Sequence, residues 1–422
     1  MYEQCGKSRY IDEAIVLARG ALGLRNPNHP KRLACLTQLS SHLTSRYERL
    51  GGVEDLNEAI LLDRDALALC PPGHPGRSST LNKLAVHLCR RYKQLGGVDD
   101  LNEAIPLARE ALTLRPPGHP DRSRSLNNLA NHLSTRYNQL GGVDDLDEAI
   151  LLARDALALC PRGHLGQSAS LNNLAVHLAT RYNRFGRLED LSEAIVVTRD
   201  ALTLCPSGHP DQSKYLNNLA VYLGTRYRQL GGVEDLNEAI LHDRHVVTLC
   251  PKGHPGRSKS LNNLAVHLSI RYKQLHEVED LNGAILLDRD ALALHPPGHP
   301  DQSSSLTNLA ADLSARYKRF GKTEDLDEAI LLNRDAVTLH PPGHPDRSLS
   351  LNNLAISLSR RYKQLRRIED LNEAILLDQG ALALHPPRHP ERSSSLANLA
   401  DHLSTRYKLV RRFYLGSLEN FA

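Results

Sequence analysis

DRSRSLNNLANHLSTRYNQLGGVDDLDEAILLARDALALCP, residues Asp121–Pro161, returns through the rest of the chain with few changes. A step of 45 residues in either direction restores the same skeleton. Arg136–Tyr137 recurs from Arg46–Tyr47 to Arg406–Tyr407, and Ala149–Ile150 recurs from Ala14–Ile15 to Ala374–Ile375. Self-similarity at one fixed period of this size implies a stacked array in which each unit touches its neighbours, and it overrides a domain count taken from length.

Within the quoted unit, Leu126, Leu129, Ala130, Leu133, Tyr137 and Leu140 fall at spacings of three and four, one face of a helix. Pro120 suits the first turn and Gly141–Gly142 the end of that helix. A second helix is expected to open at Asp145, with Asp145 and Glu148 forming a capping box. Leu146, Ala149, Ile150, Ala156 and Leu157 supply its apolar stripe, and Pro161 stops it. The Pro-x-Gly-His-Pro segments then turn the chain into the next unit. The reading is all-α: a solenoid of helix pairs.

Composition agrees with a folded protein, at 41% hydrophobic and 24% charged residues. With no Trp and four Phe, the core falls to Leu, Ala and Ile plus one Tyr per unit. A net charge of +4 over 422 residues gives no general pull toward nucleic acid or an anionic membrane. The N-terminus carries no basic-then-apolar leader, and no apolar run approaches a membrane span, so a cytoplasmic location is expected. Seven Cys are present, and the position of Cys70, Cys160, Cys205 and Cys250 is filled by Arg25, Arg115, His295, His340 and His385 in other units. A disulfide framework does not tolerate that exchange, so free thiols are expected.

The LNNLA block, the Ala149…Ala156 pair and the terminating Pro161 resemble the tetratricopeptide repeat. In this chain Leu replaces both aromatics of the family's first block. The long unit with LNNLA and His-Pro elements resembles the kinesin-light-chain type. The resemblance implies a right-handed α-solenoid whose first helices line a concave groove. The family's second-helix aromatic is missing at Ala153, and Tyr137 is expected to fill its volume. The PPGHPDRS and DLDEAI segments also resemble repeat arrays of fungal proteins, often attached to a caspase-like (CHAT) peptidase or a nucleotide-binding signalling (STAND) ATPase. The sequence holds no P-loop pattern.

Tyr2 is in register with Tyr47, so residues 1–30 read as a partial repeat with an orphan second helix over Tyr10–Arg25. Residues 31–390 read as the array of about eight complete pairs. Residues 391–422 read as an orphan first helix at Leu396–Tyr407 plus an atypical tail with Phe413, Tyr414, Leu415 and Phe421, able to fold back as a lid. Two readings of the ends stand side by side: caps of the array, or an excerpt of a longer coding region. Pro106 and Gly283 inside second helices, and His276 and Arg366 in place of helix-ending glycines, are expected to soften their joints.

One His per unit, from His29 and His74 through His119, His164, His209, His254, His299 and His344 to His389, suggests metal at first sight. One Cys and one His per layer cannot close a tetrahedron, so turn stabilisation is expected and no metal. No once-occurring nucleophile or acid–base pair stands out, so neither catalysis nor a cofactor is expected. Arg136 and its equivalents are expected to pair with Asp145 or Glu148 of their own hairpin. The binding candidates are the carboxamides of LNNLA, turned away from the core: Asn128, Asn173, Asn218, Asn263, Asn308 and Asn353, with Asn127, Asn172, Asn217 and Asn262 beside them. A carboxamide can bracket the backbone of an extended peptide, and the kinesin-light-chain resemblance implies that the second Asn faces the groove. An interlayer hydrogen bond is the alternative use. Neutral groove neighbours such as Ser134, Val176 and Ile356 suit backbone reading, with Lys214 and Lys259 adding charge at one lip. The expected function is a scaffold for a peptide or partner protein, with no nucleic acid, membrane or small-molecule substrate. The alternatives are a sensor arm of a larger signalling ATPase or peptidase, or a plain spacer.

Overall fold

The computed structural model describes residues 2–160, 166–206, 208–254, 256–295, 302–341, 344, 346–385 and 392–419, with side chains throughout these except at 2–9, 49 and 412–419. The described residues form eighteen helices. They are α1 (Tyr2–Gly23), α2 (Arg32–Leu50), α3 (Val53–Ala68), α4 (Arg77–Leu95), α5 (Val98–Thr113), α6 (Arg122–Leu140), α7 (Val143–Ala158), α8 (Gln167–Phe185) and α9 (Leu188–Thr203). Then come α10 (Gln212–Leu230), α11 (Val233–Leu249), α12 (Arg257–Leu275), α13 (Val278–Ala293), α14 (Gln302–Phe320), α15 (Thr323–Leu339), α16 (Arg347–Leu365), α17 (Ile368–Ala383) and α18 (Arg392–Glu419). Even numbers are first helices and odd numbers second helices.

Two compact units divide the chain, Met1–Tyr215 and Leu216–Ala422. In the first, α2 packs on α3, α4 on α5, α6 on α7 and α8 on α9, while α4, α6 and α8 touch in succession. In the second, α12 packs on α13, α14 on α15 and α16 on α17, while α12, α14, α16 and α18 touch in succession. Each unit is therefore a stack of helical hairpins.

Burial follows the spacing in the sequence. Leu126, Leu129, Ala130, Leu133 and Tyr137 are the buried apolar residues of α6, and Leu146, Ala149, Ile150, Ala153 and Ala156 those of α7. Tyr272, Leu281, Ile285, Leu309, Leu313 and Ala329 join α12 through α15 in one apolar cluster. Gly141 ends α6 in the left-handed conformation at φ 74°, its N–H bonded to the Tyr137 carbonyl at 2.7 Å. His276 and Arg366 take the same conformation at φ 58° and 56°, so their helices end on schedule without glycine and carry the steric cost of a Cβ there.

Several expectations need correction. Asp145 is not a cap: Gly142 occupies the N-cap in extended conformation with no side-chain hydrogen bond, and Asp145 lies inside the first turn of α7. Its carboxylate is taken by Arg136, whose Nε and Nη2 donate to it at 2.7 and 2.5 Å. Glu148 instead accepts from Arg109 of the preceding second helix. Helix α1 starts at Tyr2, ahead of the expected Tyr10. Helix α18 runs on to Glu419, so through that residue the tail extends the helix and does not fold back. Pro106 leaves α5 unbroken and lies on its exposed side. Tyr137 is buried, as its place on the apolar stripe requires.

Candidate ligand face on the first helices

The LNNLA block places Leu126, Leu129 and Ala130 in the core, which leaves the two carboxamides at its margin. Asn127, Asn128, Asn173, Asn217, Asn218, Asn262, Asn263, Asn308 and Asn353 are half-buried, whereas Asn172 and Asn352 are buried. The sequence places them all turned outward; contact with the next layer covers those two.

The carboxamides divide by partner. In the first set, Asn127 donates to Ser170 Oγ at 2.7 Å, Asn352 donates to Ser395 Oγ at 3.2 Å, and Asn262 accepts from Ser305 Oγ at 2.9 Å. In the second set, Asn128 donates to Asn82 at 3.1 Å and Asn263 to Asn217 at 2.7 Å. These bonds bridge successive first helices. Asn308 and Asn353 have no hydrogen-bond partner among the described residues, and each lines a cavity.

Both cavities lie within the second unit, each of about 710 Å³. One holds Asn262, Asn263, Val266, Thr307 and Asn308 with Lys259 at its edge. The other holds Thr307, Ala311, Ser314, Asn353 and Ile356. Lys214 and Lys259 are exposed on α10 and α12.

The arginine stripe is spoken for. Arg46, Arg91, Arg136, Arg181, Arg226, Arg271, Arg316 and Arg361 each pair with an Asp of the following helix at 2.5–2.8 Å. Part-buried bidentate pairs of this kind fix hairpin geometry.

The histidine turns use their rings on the backbone. Nδ1 of His29, His74, His119, His209, His254 and His344 accepts the N–H two residues on, at 3.0–3.1 Å. His164, His299 and His389 lie outside the described residues. The interchangeable Cys/Arg/His position has one task in all three forms. Cys70 contacts Thr80 Oγ1 at 3.9 Å, Arg115 donates to Ser125 Oγ at 2.7 Å, and His340 Nδ1 meets Ser350 Oγ at 2.8 Å. Cys35, Cys70, Cys89, Cys160, Cys205 and Cys250 are free thiols. Donor atoms of His340, His344 and Asp346 come within 4.8 Å of one another. The two rings stack at 4.2 Å rather than converging on a point, and both Nδ1 atoms are engaged.

Sequence reasoning missed a buried polar column. The residue at the Ala153 position meets the residue 24 further on, in the next first helix. His87 Nδ1 lies 2.7 Å from Asp63, His267 2.5 Å from Asp243, and His402 2.6 Å from Asp378. Asn333 donates to Ser357 at 3.1 Å in the same register. At Ala108 and Ala153 the acid is absent, so His132 and His177 stay buried with both ring nitrogens unpartnered. Burial lowers their pKa to about 3 and about 4. One register carries two acids: burial, then Asp312, raises Asp288 to about 8, and burial raises Asp312 to about 6. The signal was available as co-placed Asp and His at a constant offset.

No helix among the described residues is long and apolar enough to cross a membrane. Neither a protein-family model nor a curated protein matches the sequence. Among solved structures, the human IFIT1 dimer with PPP-AAAA is similar at a TM-score of 0.54 and 14% identity, covering 97% of this chain and 81% of that one. Human IFIT1 with m7Gppp-AAAA gives 0.55 and 15%, covering 96% and 80%. A Podospora anserina putative kinesin light chain with nearly identical TPR-like repeats is 22% identical, covering 52% of this chain and 98% of that one, at a TM-score of 0.38. At these identities the likeness to the IFIT1 structures is one of fold, and it agrees with the hairpin stacks described above. The chain has an all-helical fold of stacked helical hairpins, similar to that of these solved structures.

Proposed function

We propose that this chain is a non-catalytic scaffold that holds an extended peptide, or an extended segment of a partner protein, along its first helices. The observation that carries the reading is the state of Asn308 and Asn353: half-buried, lining cavities, and without a partner among the described residues. A carboxamide offers one acceptor and two donors, the complement of a peptide backbone. Within the second unit Asn218 and Asn263 extend the same row, Asn217 and Asn262 brace it, and Lys259 adds charge at its edge; in the first unit Asn128 and Asn173, with Asn127 and Asn172 beside them and Lys214 exposed on α10, make the corresponding row. IFIT1 was solved with PPP-AAAA, but here the net charge of +4 and the arginine stripe committed to Asp favour a protein partner over nucleic acid.

The test uses a peptide selected from a display library against the whole chain. Replacing Asn308 and Asn353 together by Ala should weaken it roughly 30-fold, two hydrogen bonds at about 1 kcal/mol net each. Their loss should leave the melting temperature unchanged or slightly raised, because Ala is the better helix former. Asn263→Ala should instead lower it, through the lost bond to Asn217. Unchanged affinity in the Asn308/Asn353 double variant would remove the carboxamide row from the function.

A further inference from the structure

The second cavity, between α12, α14 and α16, carries four basic side chains on its wall and no carboxylate. Lys273 stands on α12, Lys318 and Arg319 on α14, and Arg360 on α16, and no Asp or Glu lines the space. All four are exposed, and none is in an ion pair among the described residues. Two basic equivalents elsewhere are neutralised. Arg90 holds on α4 the place that Arg360 holds on α16, and Glu48 of the preceding first helix closes it at 2.7 Å. The residue at that same offset before Arg360 is Lys318. Lys363 holds the place of Lys318 one repeat later and reaches Asp401 at 3.5 Å. The residues at that offset from Lys318 and Lys273 are Ile356 and Ala311, both in the cavity wall. Asp312 is the nearby acid, but it is buried, accepts from Ser269 at 2.5 Å and does not line the space. At two kinds of position, then, this repeat lacks the carboxylate that another repeat supplies.

We propose that this cavity seats a short acidic stretch of the bound partner, an inference that rests on the peptide-scaffold reading above. Arg360 and Arg319 offer planar forks suited to carboxylates, and Lys273 and Lys318 act as point charges beside them. Asn353, Thr307 and Ser314 supply neutral polar groups for the intervening backbone. The chemistry favours carboxylates over a nucleic-acid strand. The single Tyr of the wall, Tyr272, is itself buried and offers bases no stacking face. The neighbouring cavity mixes Lys259 with Asp346, so the positive charge is local and does not form a track.

The experiment titrates the full chain against three fluorescent probes: a Gly/Ser-rich peptide with three consecutive Glu, its Gln counterpart, and a 5′-triphosphorylated oligoadenylate. The Glu peptide should bind at least ~10-fold more tightly than the Gln peptide, and this preference should vanish in Arg360→Glu. Lys318→Glu should abolish it too, because the new carboxylate takes the offset of Glu48 and pairs with Arg360 internally. Its melting temperature should not fall, which separates loss of the seat from loss of the fold. Equal binding of the Glu and Gln peptides would overturn the acidic seat while leaving the scaffold reading standing. No binding of the Glu peptide would overturn the seat alone, since the scaffold reading is judged on the Asn308/Asn353 variant and its selected peptide. Tighter binding of the oligoadenylate, lost in Arg360→Glu, would overturn it in favour of phosphates.

Discussion

His267 Nδ1 lies 2.5 Å from Asp243 Oδ2 and ties α11 to α12 across a repeat boundary. Gly224 on α10 makes room for that ring: a Cβ built there would lie 2.2 Å from His267 Nε2. The imidazole is held on its other side by Asp243, so it has nowhere to retreat. Gly224→Ala should therefore destabilise the second unit by about 1–3 kcal/mol despite the gain in helix propensity. Chemical denaturation checks this, and a stabilised variant would show that the ring moves aside freely.

The two-acid register gives a pH dependence of definite sign. Asp288 is buried with neither oxygen hydrogen-bonded, and its pKa is raised to about 8. An unfolded Asp titrates near pH 4, so between about pH 4 and 8 the folded chain holds a proton that the unfolded chain has released. Stability should then fall as pH rises through this window, by a contribution on the order of a few kcal/mol. Asp288→Asn should raise the melting temperature at pH 8 and leave it nearly unchanged at pH 4. A wild-type melting temperature that rises between pH 6 and 8, with no gain from Asp288→Asn, would contradict this.

The first unit should respond in the opposite sense. Burial holds His132 and His177 at about 3 and about 4, whereas an unfolded His protonates near pH 6.5. The unfolded chain therefore binds more protons as pH falls below about 6.5, and stability is lost toward the folded pKa values. Ala153→Asp should give His177 the partner that Asp63 gives His87. Its melting temperature at pH 5 should exceed that of the wild type. A lower value would mean that the site cannot accept the carboxylate.

The period, the helix pairs and the Arg–Asp pairing were legible because each depends on residues within one repeat or on a pattern written nine times. Asp145 misled as a cap because its carboxylate could be assigned locally, while Arg136, nine residues earlier, wins it with two charge-assisted bonds. The polar column was hidden because its members sit in different repeats and change identity, from Asp63–His87 to Asn333–Ser357 to Asp288–Asp312. The carboxamides divide in use for a related reason. Asn128 and Asn353 share a repeat position, but Asn128 bonds to Asn82 while Asn353 stays open, and the first neighbour of each lies 46 residues away in another layer. Hydrophobic period reports which face is buried; it does not report which polar atom another repeat will claim.

The most direct test of the scaffold reading places a photoreactive benzoylphenylalanine at one position at a time. Ile356 lines the cavity beside Asn353 on the first-helix face. Leu331 on α15 is 62% exposed, one of a row of exposed apolar residues on second helices that includes Leu241, Leu286 and Leu376. With the selected peptide bound, irradiation should crosslink it from position 356 and not from position 331. Crosslinking from 331 with none from 356 would put the partner on the second helices and contradict a ligand face built on the carboxamides.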